Sequence, residues 1–83
     1  MSNEELVERI RNGYHVTENM QVLYENNLPL IKKFIKPYAY YESEEDLLQE
    51  AYFGLWEAVR HYESSENVLF MSYARHWVRQ SIQ

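Results

Sequence analysis

The apolar positions of this chain recur at helical spacing in separate segments, each bounded by capping or helix-breaking residues. In the first segment, Leu6 and Ile10 lie one turn apart. Ser2 precedes Glu5 at the spacing of a capping box, and Gly13 stands where a C-terminal cap belongs. This pattern predicts a short leading helix within residues 1–15.

The second segment is longer and contains a proline. Thr17 is placed to cap its start, and the helical pattern continues up to Pro37. Its apolar positions are Met20, Leu23, Tyr24, Leu28, Ile31, Phe34 and Ile35. Pro29 interrupts the pattern, because proline removes a backbone donor and clashes with the preceding turn. We therefore expect a kink or a break between Asn26 and Leu28.

Two further helices complete the pattern. Ser43 is placed to cap the first of them, with Asp46 three residues later. Its core stripe is Leu48, Ala51, Leu55, Ala58, Val59 and Tyr62. The polar stretch HYESSENV predicts a turn, and we expect the closing helix to run from about Phe70 to the last residue. No segment alternates long enough for a strand, so the chain is predicted to be all-α, a compact bundle of about four helices.

Composition and charge narrow the possible classes of protein. A chain of 83 residues forms one domain, in which residues 16–83 are the main helical part behind the leading helix. The absence of cysteine excludes disulfides and thiolate sites. The start does not have the layout of a signal peptide, and no run approaches the ~20 apolar residues of a membrane helix. We therefore expect a soluble, cytoplasmic protein without membrane contact, whose net charge of −5 argues against sequence-independent adhesion to nucleic acid.

The side of the third helix opposite its core stripe combines acids with two large aromatic residues. It carries Asp46, Gln49, Glu50, Phe53, Trp56 and Glu57. Exposed rings among polar residues are typical of a protein-binding surface. The alternative is that Phe53 and Trp56 fold back onto Phe34 or the nearby tyrosines as core, as helical aromatic stripes usually do. Periodicity leaves both interpretations open.

The end of the chain is basic and aromatic although the protein is acidic. From Val68 onward there are two arginines, one histidine, three aromatic residues and no acid. On a helix, one side carries Phe70, Tyr73, Ala74, Trp77 and Val78, a second carries Ser72, His76, Gln80 and Gln83, and a third carries Arg75 and Arg79. Rings can stack on unpaired bases, glutamine can read a base edge, and arginines can neutralise phosphates. The alternatives are that the rings are core and that Gln80 is a solvated surface residue.

Catalytic interpretations have little support. Glu57 and His61 lie one turn apart with Glu50 two turns earlier, which could seed a metal site, but no second Glu/His pair completes it. Exposed helix charge is the more usual explanation of such residues. Both glycines are isolated, so no phosphate-binding loop exists. We predict a protein that is not an enzyme and that uses no metal or cofactor.

The order of motifs resembles a known family. EDLLQEAYFGLWEAVRHYE, at residues 45–63, and NVLFMSYARHWVRQSIQ, at residues 67–83, closely resemble region 2 of the sigma-70 family of bacterial RNA polymerase sigma factors. The upstream LYENNLPLIKKFIKPY is similar to the preceding helix of that family, so the likeness covers about Tyr24 to Gln83. EELVERIRNG resembles the leading helix of smaller sigma factors.

The resemblance implies a transcription initiation subunit with two binding surfaces. Docking on the β′ clamp of core RNA polymerase would use Asp46, Gln49, Glu50, Phe53 and Trp56. The closing helix would capture the promoter's minus-ten element as single-stranded DNA through Phe70, Ser72, Tyr73, Arg75, His76, Trp77, Arg79, Gln80 and Gln83. By position, Phe70 and Tyr73 of this chain correspond to family residues that line the pocket for a flipped adenine. Trp77 corresponds to a family residue at the edge of the duplex. Gln80 and Gln83 correspond to positions that read the upstream base pair.

Several positions depart from the family pattern. His76 replaces the first of two adjacent tryptophans, which implies weaker promoter melting, and Val68 replaces a ring. Because the chain ends at Gln83, we expect either a shortened factor or half of a split one. A separate chain that reads the minus-thirty-five element and an anti-sigma protein are then further candidate partners. The alternative function, from another class, is a helical protein-interaction module without direct DNA reading.

Overall fold

The computed structural model describes residues 1–64 and 67–82. These residues contain no strand and form five α-helices, and a short 3₁₀ turn, Lys36–Tyr38, follows the third helix. The helices are α1 (Asn3–Arg11), α2 (Val16–Asn26), α3 (Leu28–Ile35), α4 (Glu44–His61) and α5 (Phe70–Ser81). The all-α prediction is confirmed, but the bundle has five helices rather than about four. Within the described ranges, no helix is both long and apolar enough to cross a membrane.

The fifth helix arises because the proline region breaks the second segment completely. Pro29 occupies the second position of α3, where a missing N–H costs nothing because the first turn has no intrahelical acceptor for it. Asn27 separates α2 from α3 and is buried. Its Nδ2 donates to the carbonyl of Leu23 at 2.8 Å, and its amide exchanges two hydrogen bonds with that of Asn3, at 2.8 and 3.2 Å. This amide pair joins the start of α1 to the break.

The leading helix has the predicted caps at both ends. Glu5 N donates to Ser2 Oγ at 3.1 Å, and Ser2 N donates to Glu5 Oε1 at 2.8 Å, which closes the capping box. Gly13 has φ of 77° and donates its N–H to Ile10 O. Leu6 and Ile10 are buried in the core shared by all five helices, so the leading helix packs as part of that core.

The predicted cap of α2 is wrong. The helix begins at Val16, so Thr17 lies inside its first turn, where a side chain can no longer take the N-cap position. The N-cap is His15, whose backbone is left-handed with φ of 42° and whose side chain makes no capping hydrogen bond. Asn19 Nδ2 donates to Tyr14 O at 2.9 Å and holds the chain entering the helix.

The long helix α4 begins as predicted, but the first residue of its core stripe differs from the prediction. Asp46 N donates to Ser43 Oγ at 3.2 Å, which confirms the cap. Leu47 is fully buried whereas Leu48 is half-buried, so the predicted assignment of Leu48 to the stripe is corrected to Leu47. The remaining stripe residues, from Ala51 to Tyr62, are buried as predicted.

Helices α4 and α5 approach each other closely at Gly54. A Cβ atom placed there would lie 2.7 Å from Val78 Cα and from Ser81 Oγ, and 2.8 Å from Trp77 O. Only a residue without a side chain allows this separation. Helix α5 begins at Phe70 as predicted and ends at Ser81, with Ile82 in an extended conformation after it, instead of continuing to the last residue.

Candidate nucleic-acid interface

One face of α5 is polar and positively charged. Its residues follow the spacing i, i+3, i+4, i+7 and i+8, which places them in one strip along the helix. This outer strip consists of Ser72, Arg75, His76, Arg79 and Gln80. All are exposed except Arg79, which is half-buried and whose Nε makes no hydrogen bond within the described residues. The two rows predicted from sequence therefore form one surface that carries two arginines and no acid.

A cluster of rings borders the outer strip. This aromatic corner consists of His61, Tyr62, Tyr73 and Trp77. The His61 and Trp77 rings are stacked with centroids 4.8 Å apart, and the Tyr73 ring lies 5.6 Å from Tyr62 and 6.4 Å from Trp77. Tyr73 Oη also donates to His61 O at 3.2 Å, so the phenol is attached to the last residue of α4. The corner thus combines rings from α4, α5 and the chain between them.

Phe70 lies beneath this corner rather than in it. Its side chain is 0 % exposed, and its ring meets Tyr62 edge-on with centroids 5.3 Å apart. A ring with no exposed surface has no free face on which a base could stack. In this structure Phe70 supports the corner from the core, and its assignment to DNA contact stays a prediction. Gln83 lies outside the described residues.

A small pocket of about 100 Å³ opens at the aromatic corner. Its lining consists of His61, Tyr62, Glu63, Val68 and Tyr73. Tyr73 and Trp77 are both half-buried, which leaves part of each ring accessible. The pocket therefore lies beside the ring that the sequence assigned to base stacking, although His61, Tyr62 and Glu63 were not predicted to take part. Their position at the end of α4 was visible in the sequence, but their proximity to Tyr73 was not.

The second candidate surface lies on α4. Asp46 and Gln49 are exposed, Glu50 is half-buried, and Phe53 is 68 % exposed. The alternative in which Phe53 folds back into the core is therefore excluded for this residue. Trp56 behaves differently, because it is half-buried against the core beside α1. The two aromatic residues of this face have separate environments.

An apolar groove of about 530 Å³ runs beside Phe53 between α2 and α4. It is lined by Gln21, Tyr24, Glu45, Leu48, Gln49, Tyr52 and Phe53. The Tyr24 and Tyr52 rings meet edge-on at 5.3 Å, and burial, with a contribution from Glu44, raises the pKa of Tyr24. Sequence periodicity had assigned Tyr24 and Leu48 to the core, because a helix pattern does not show where two helices diverge.

Acidic side chains crowd the edge of the α4 surface. Glu50 Oε1 is buried and accepts no hydrogen bond from the described part of the chain. A hydrogen bond between the carboxyls of Glu42 and Glu50 raises the pKa of Glu42, and desolvation and the charges of Glu50 and Asp46 act in the same direction. This concentration of negative charge favours a basic partner.

The possible metal site of Glu50, Glu57 and His61 does not assemble. His61 Nε2 lies 3.6 Å from a Glu57 carboxylate oxygen, and its ring is stacked on Trp77. Within residues 1–64 and 67–82, no group of three His, Cys, Asp or Glu side chains is arranged to hold a metal ion.

Comparison with known proteins identifies the family. The family model for Sigma-70 region 2 matches residues 23–83, which include α3, α4, α5 and every predicted site residue. No curated protein and no solved structure matches the chain significantly. Because the match covers well over half of the sequence, the chain belongs to the sigma-70 family, as a region 2 domain of the non-enzymatic kind that acts in transcription initiation.

Proposed function

We propose that this protein is a transcription initiation subunit that attaches to core RNA polymerase through α4 and stabilises opened promoter DNA through α5. The observation that carries the proposal is the juxtaposition, within a sigma-70 region 2 domain, of the basic outer strip with the partly exposed aromatic corner. Single-stranded DNA presents two features, a charged backbone and unstacked bases. The strip and the corner supply a matching contact for each.

In this proposal the residues of α5 make three kinds of contact with DNA. Arg75 and Arg79 neutralise phosphates, and the partly exposed rings of Tyr73 and Trp77 stack on bases of the minus-ten element. Base edges or the upstream base pair are contacted by Ser72, His76, Gln80 and Gln83. Phe70 contributes from the core by supporting Tyr62.

The energetics require polymerase. Unstacking and unpairing a base costs a few kcal/mol, and stacking on an aromatic side chain returns ~1–3 kcal/mol. The net charge of −5 opposes binding to DNA outside the outer strip. The isolated chain should therefore bind duplex DNA poorly, and it should read the opened strand only when polymerase holds it nearby. This role also places the protein in the cytoplasm.

The α4 surface is proposed to bind the β′ clamp. Asp46, Gln49 and Glu50 provide polar and acidic contacts, and Phe53 provides an exposed apolar anchor beside the groove. Trp56 contributes at the end of this surface that faces α1. Exposed aromatic residues at the centre of a polar rim are a usual arrangement in protein interfaces.

A second candidate function is a helical protein-interaction module that reads no DNA. The apolar groove favours it, because the groove and Phe53 suffice for a protein partner without any contribution from α5. A further chain that reads the minus-thirty-five element, or an anti-sigma protein, would bind such a module. Binding to single-stranded DNA separates the two functions.

The test is binding of a single-stranded minus-ten oligonucleotide in the presence of core polymerase. Tyr73→Ala should weaken binding by ~1–3 kcal/mol, the value of one stacking contact. Tyr73→Phe is the matched control, because it keeps the ring and removes only the hydroxyl that bonds to His61 O. Gln80→Ala should change the preference at the upstream base pair at little cost to stability, since Gln80 is exposed.

Thermal stability must be measured for the same variants. Tyr73 is half-buried, so loss of its ring also affects packing. Reduced oligonucleotide affinity of Tyr73→Ala at near-normal stability supports DNA reading. If neither Tyr73→Ala nor Gln80→Ala changes DNA binding, while Tyr73→Ala loses stability, α5 contributes only to the packing of the core.

A further inference from the structure

Two charged side chains of α1 reach the two ends of the connection between α4 and α5. Glu4 Oε2 accepts a hydrogen bond from Phe70 N at 2.7 Å. Arg11 Nη1 donates to Val59 O at 2.7 Å and also to Arg60 O. The whole of α1 precedes the residues of the region 2 match, which begins at residue 23. The helix outside the match therefore holds the connection inside it.

Both contacts satisfy backbone groups that their helices leave unpaired. Phe70 is the first residue of α5, and the N-cap residue Leu69 has no side chain able to cap the helix. Glu4 supplies the missing acceptor and places a negative charge at the positive end of α5. Arg11 places a positive charge at the carbonyl end of α4, where Val59 and Arg60 lie in the last turn. Each contact is charge-assisted, which makes it stronger than an ordinary hydrogen bond.

The spacing of the two charges makes α1 a rigid link. Glu4 and Arg11 are two turns apart on the helix, about 10 Å along its axis. Between them, Leu6, Val7 and Ile10 are buried in the core, so the helix cannot slide without losing packing. The end of α4 and the start of α5 are thus held at a separation set by a third helix.

The aromatic corner is built on the two backbone positions that α1 holds. His61 directly follows Arg60, and Tyr73 lies one turn after Phe70. The bond from Tyr73 Oη to His61 O and the stacking of His61 on Trp77 both span the same junction. A shift of α5 against α4 would therefore separate the rings of the corner and change its pocket.

We propose that α1 positions the DNA-reading helix, with Glu4 and Arg11 as positioning residues that hold the aromatic corner in the geometry needed to receive an unpaired base. This inference rests on the proposed function of α5. It adds a role for a helix that touches no DNA in the proposal above. Preorganised rings bind a base without first losing the entropy of being ordered.

The test uses the full chain and three substitutions. Glu4→Ala removes the acceptor, and Glu4→Gln keeps the shape and a neutral acceptor. Glu8→Ala is the control, because Glu8 is an exposed acid of the same helix and is not one of the two proposed positioning residues. Amide hydrogen exchange at Phe70 directly measures the hydrogen bond between Glu4 and Phe70 N. Affinities for core polymerase, and for a single-stranded minus-ten oligonucleotide in the polymerase complex, measure its effect, at a temperature at which every variant is folded.

The expected result is a split between the two affinities. Glu4→Ala should accelerate exchange at Phe70 by about tenfold or more, the usual effect of losing one hydrogen bond to a charged group, and lower oligonucleotide affinity by up to about the same factor. Affinity for polymerase alone should not change, since the outward face of α4 is untouched. Glu4→Gln should restore part of both properties, and Glu8→Ala should behave as the wild type. General destabilisation would lower both affinities together.

Three results would overturn the proposal. Equal rates of amide exchange at Phe70 in Glu4→Ala and Glu8→Ala would mean that the Glu4 contact does not hold the start of α5. Faster exchange at Phe70 in Glu4→Ala with unchanged oligonucleotide affinity would mean that the Glu4 contact does not position α5 for DNA binding. If the wild type itself fails to bind the oligonucleotide with polymerase, the proposed function fails as well, and that result differs from the second, in which the wild type and Glu4→Ala bind equally.

Discussion

The imidazole of His61 lies flat on the indole of Trp77, with the ring centroids 4.8 Å apart and the planes 7° from parallel. His61 is the last residue of α4 and Trp77 lies in the middle of α5, so the stack connects the two helices that carry the proposed binding surfaces. The Glu57 carboxylate lies 3.6 Å from His61 Nε2 and gives the imidazole a second contact. The sequence drew attention to His76 as the neighbour of Trp77, but the ring stacked on Trp77 belongs to His61.

We predict that His61→Ala lowers stability by about 0.5–1 kcal/mol, the lower part of the range for aromatic pairs, because His61 is about half exposed. The free energy of unfolding in urea measures this loss. Tryptophan fluorescence in a Trp56→Phe background should also change, because Trp77 is then the remaining indole. Glu57→Ala, which removes the carboxylate but leaves the rings stacked, should change the fluorescence much less. Equal spectra for the two variants would show that the stack does not orient Trp77.

Gly54→Ala should destabilise the protein in spite of the higher helix propensity of alanine. The gain in propensity is about 1 kcal/mol, whereas forcing a methyl group into a closed interface costs about 1–3 kcal/mol. Two of the three nearest atoms, Val78 Cα and Trp77 O, are backbone, so α5 itself must move. We expect a net loss of up to about 2 kcal/mol in thermal or urea unfolding, together with weaker binding of the minus-ten oligonucleotide.

Gly13→Ala is the comparison for that prediction. Gly13 has φ of 77°, and a methyl group placed on its Cα would have no neighbouring atom within 4 Å, so alanine there meets only backbone strain. The strain costs about 1–2 kcal/mol, similar to the loss expected at Gly54. Oligonucleotide binding by folded Gly13→Ala should nevertheless stay normal. If Gly54→Ala and Gly13→Ala bind the oligonucleotide equally well, DNA binding by α5 does not depend on the spacing between α4 and α5.

Gln49→Ala and Glu50→Ala should each weaken attachment to core polymerase by about 1 kcal/mol or more if these residues lie within the interface. Gln49 is exposed, and among the described residues the half-buried Glu50 carboxyl shares a hydrogen bond only with another acid, Glu42, whose pKa it raises, so the fold depends little on either side chain. Polymerase affinity and thermal stability should be measured together. Glu18→Ala removes an exposed acid of α2 and serves as the charge control. Unfolding of the domain by both substitutions would show that this face is structural.

The capping box of α1 predicts a pH dependence with a definite sign. Hydrogen bonds from the backbone and side chain of Ser2 lower the pKa of Glu5. A carboxyl whose pKa is lower in the folded state stabilises the fold above its unfolded pKa of ~4.3, and this contribution is lost as the pH falls through the folded value. Glu5→Gln should therefore reduce the loss of stability on acidification. Urea unfolding from pH 6 down to about pH 3, with Glu8→Gln as control, measures the difference. Identical pH profiles for the two variants would contradict it.

The sequence by itself determined the helical segments, because caps and breaks depend on residues that are close along the chain. The capping box of Ser2 and Glu5, the cap at Ser43 and the break before Pro29 are all local arrangements, and the structure confirms them. The order of motifs in α4 and α5 was likewise sufficient to indicate the family. Thr17 is the exception, since the chain enters α2 through a left-handed His15 that no capping pattern predicts.

Only the tertiary structure decided which side chains these helices bury and which they present. Leu47 rather than Leu48 is the first residue of the α4 core stripe, because neighbouring residues differ by about 100° around a helix and only the packed partner selects between them. The same packing exposed Phe53 and buried Phe70. The contact of Glu4 with Phe70 joins residues 66 positions apart. Helical periodicity reports the angle of a residue around its own axis, and it contains no information about the distance to another helix.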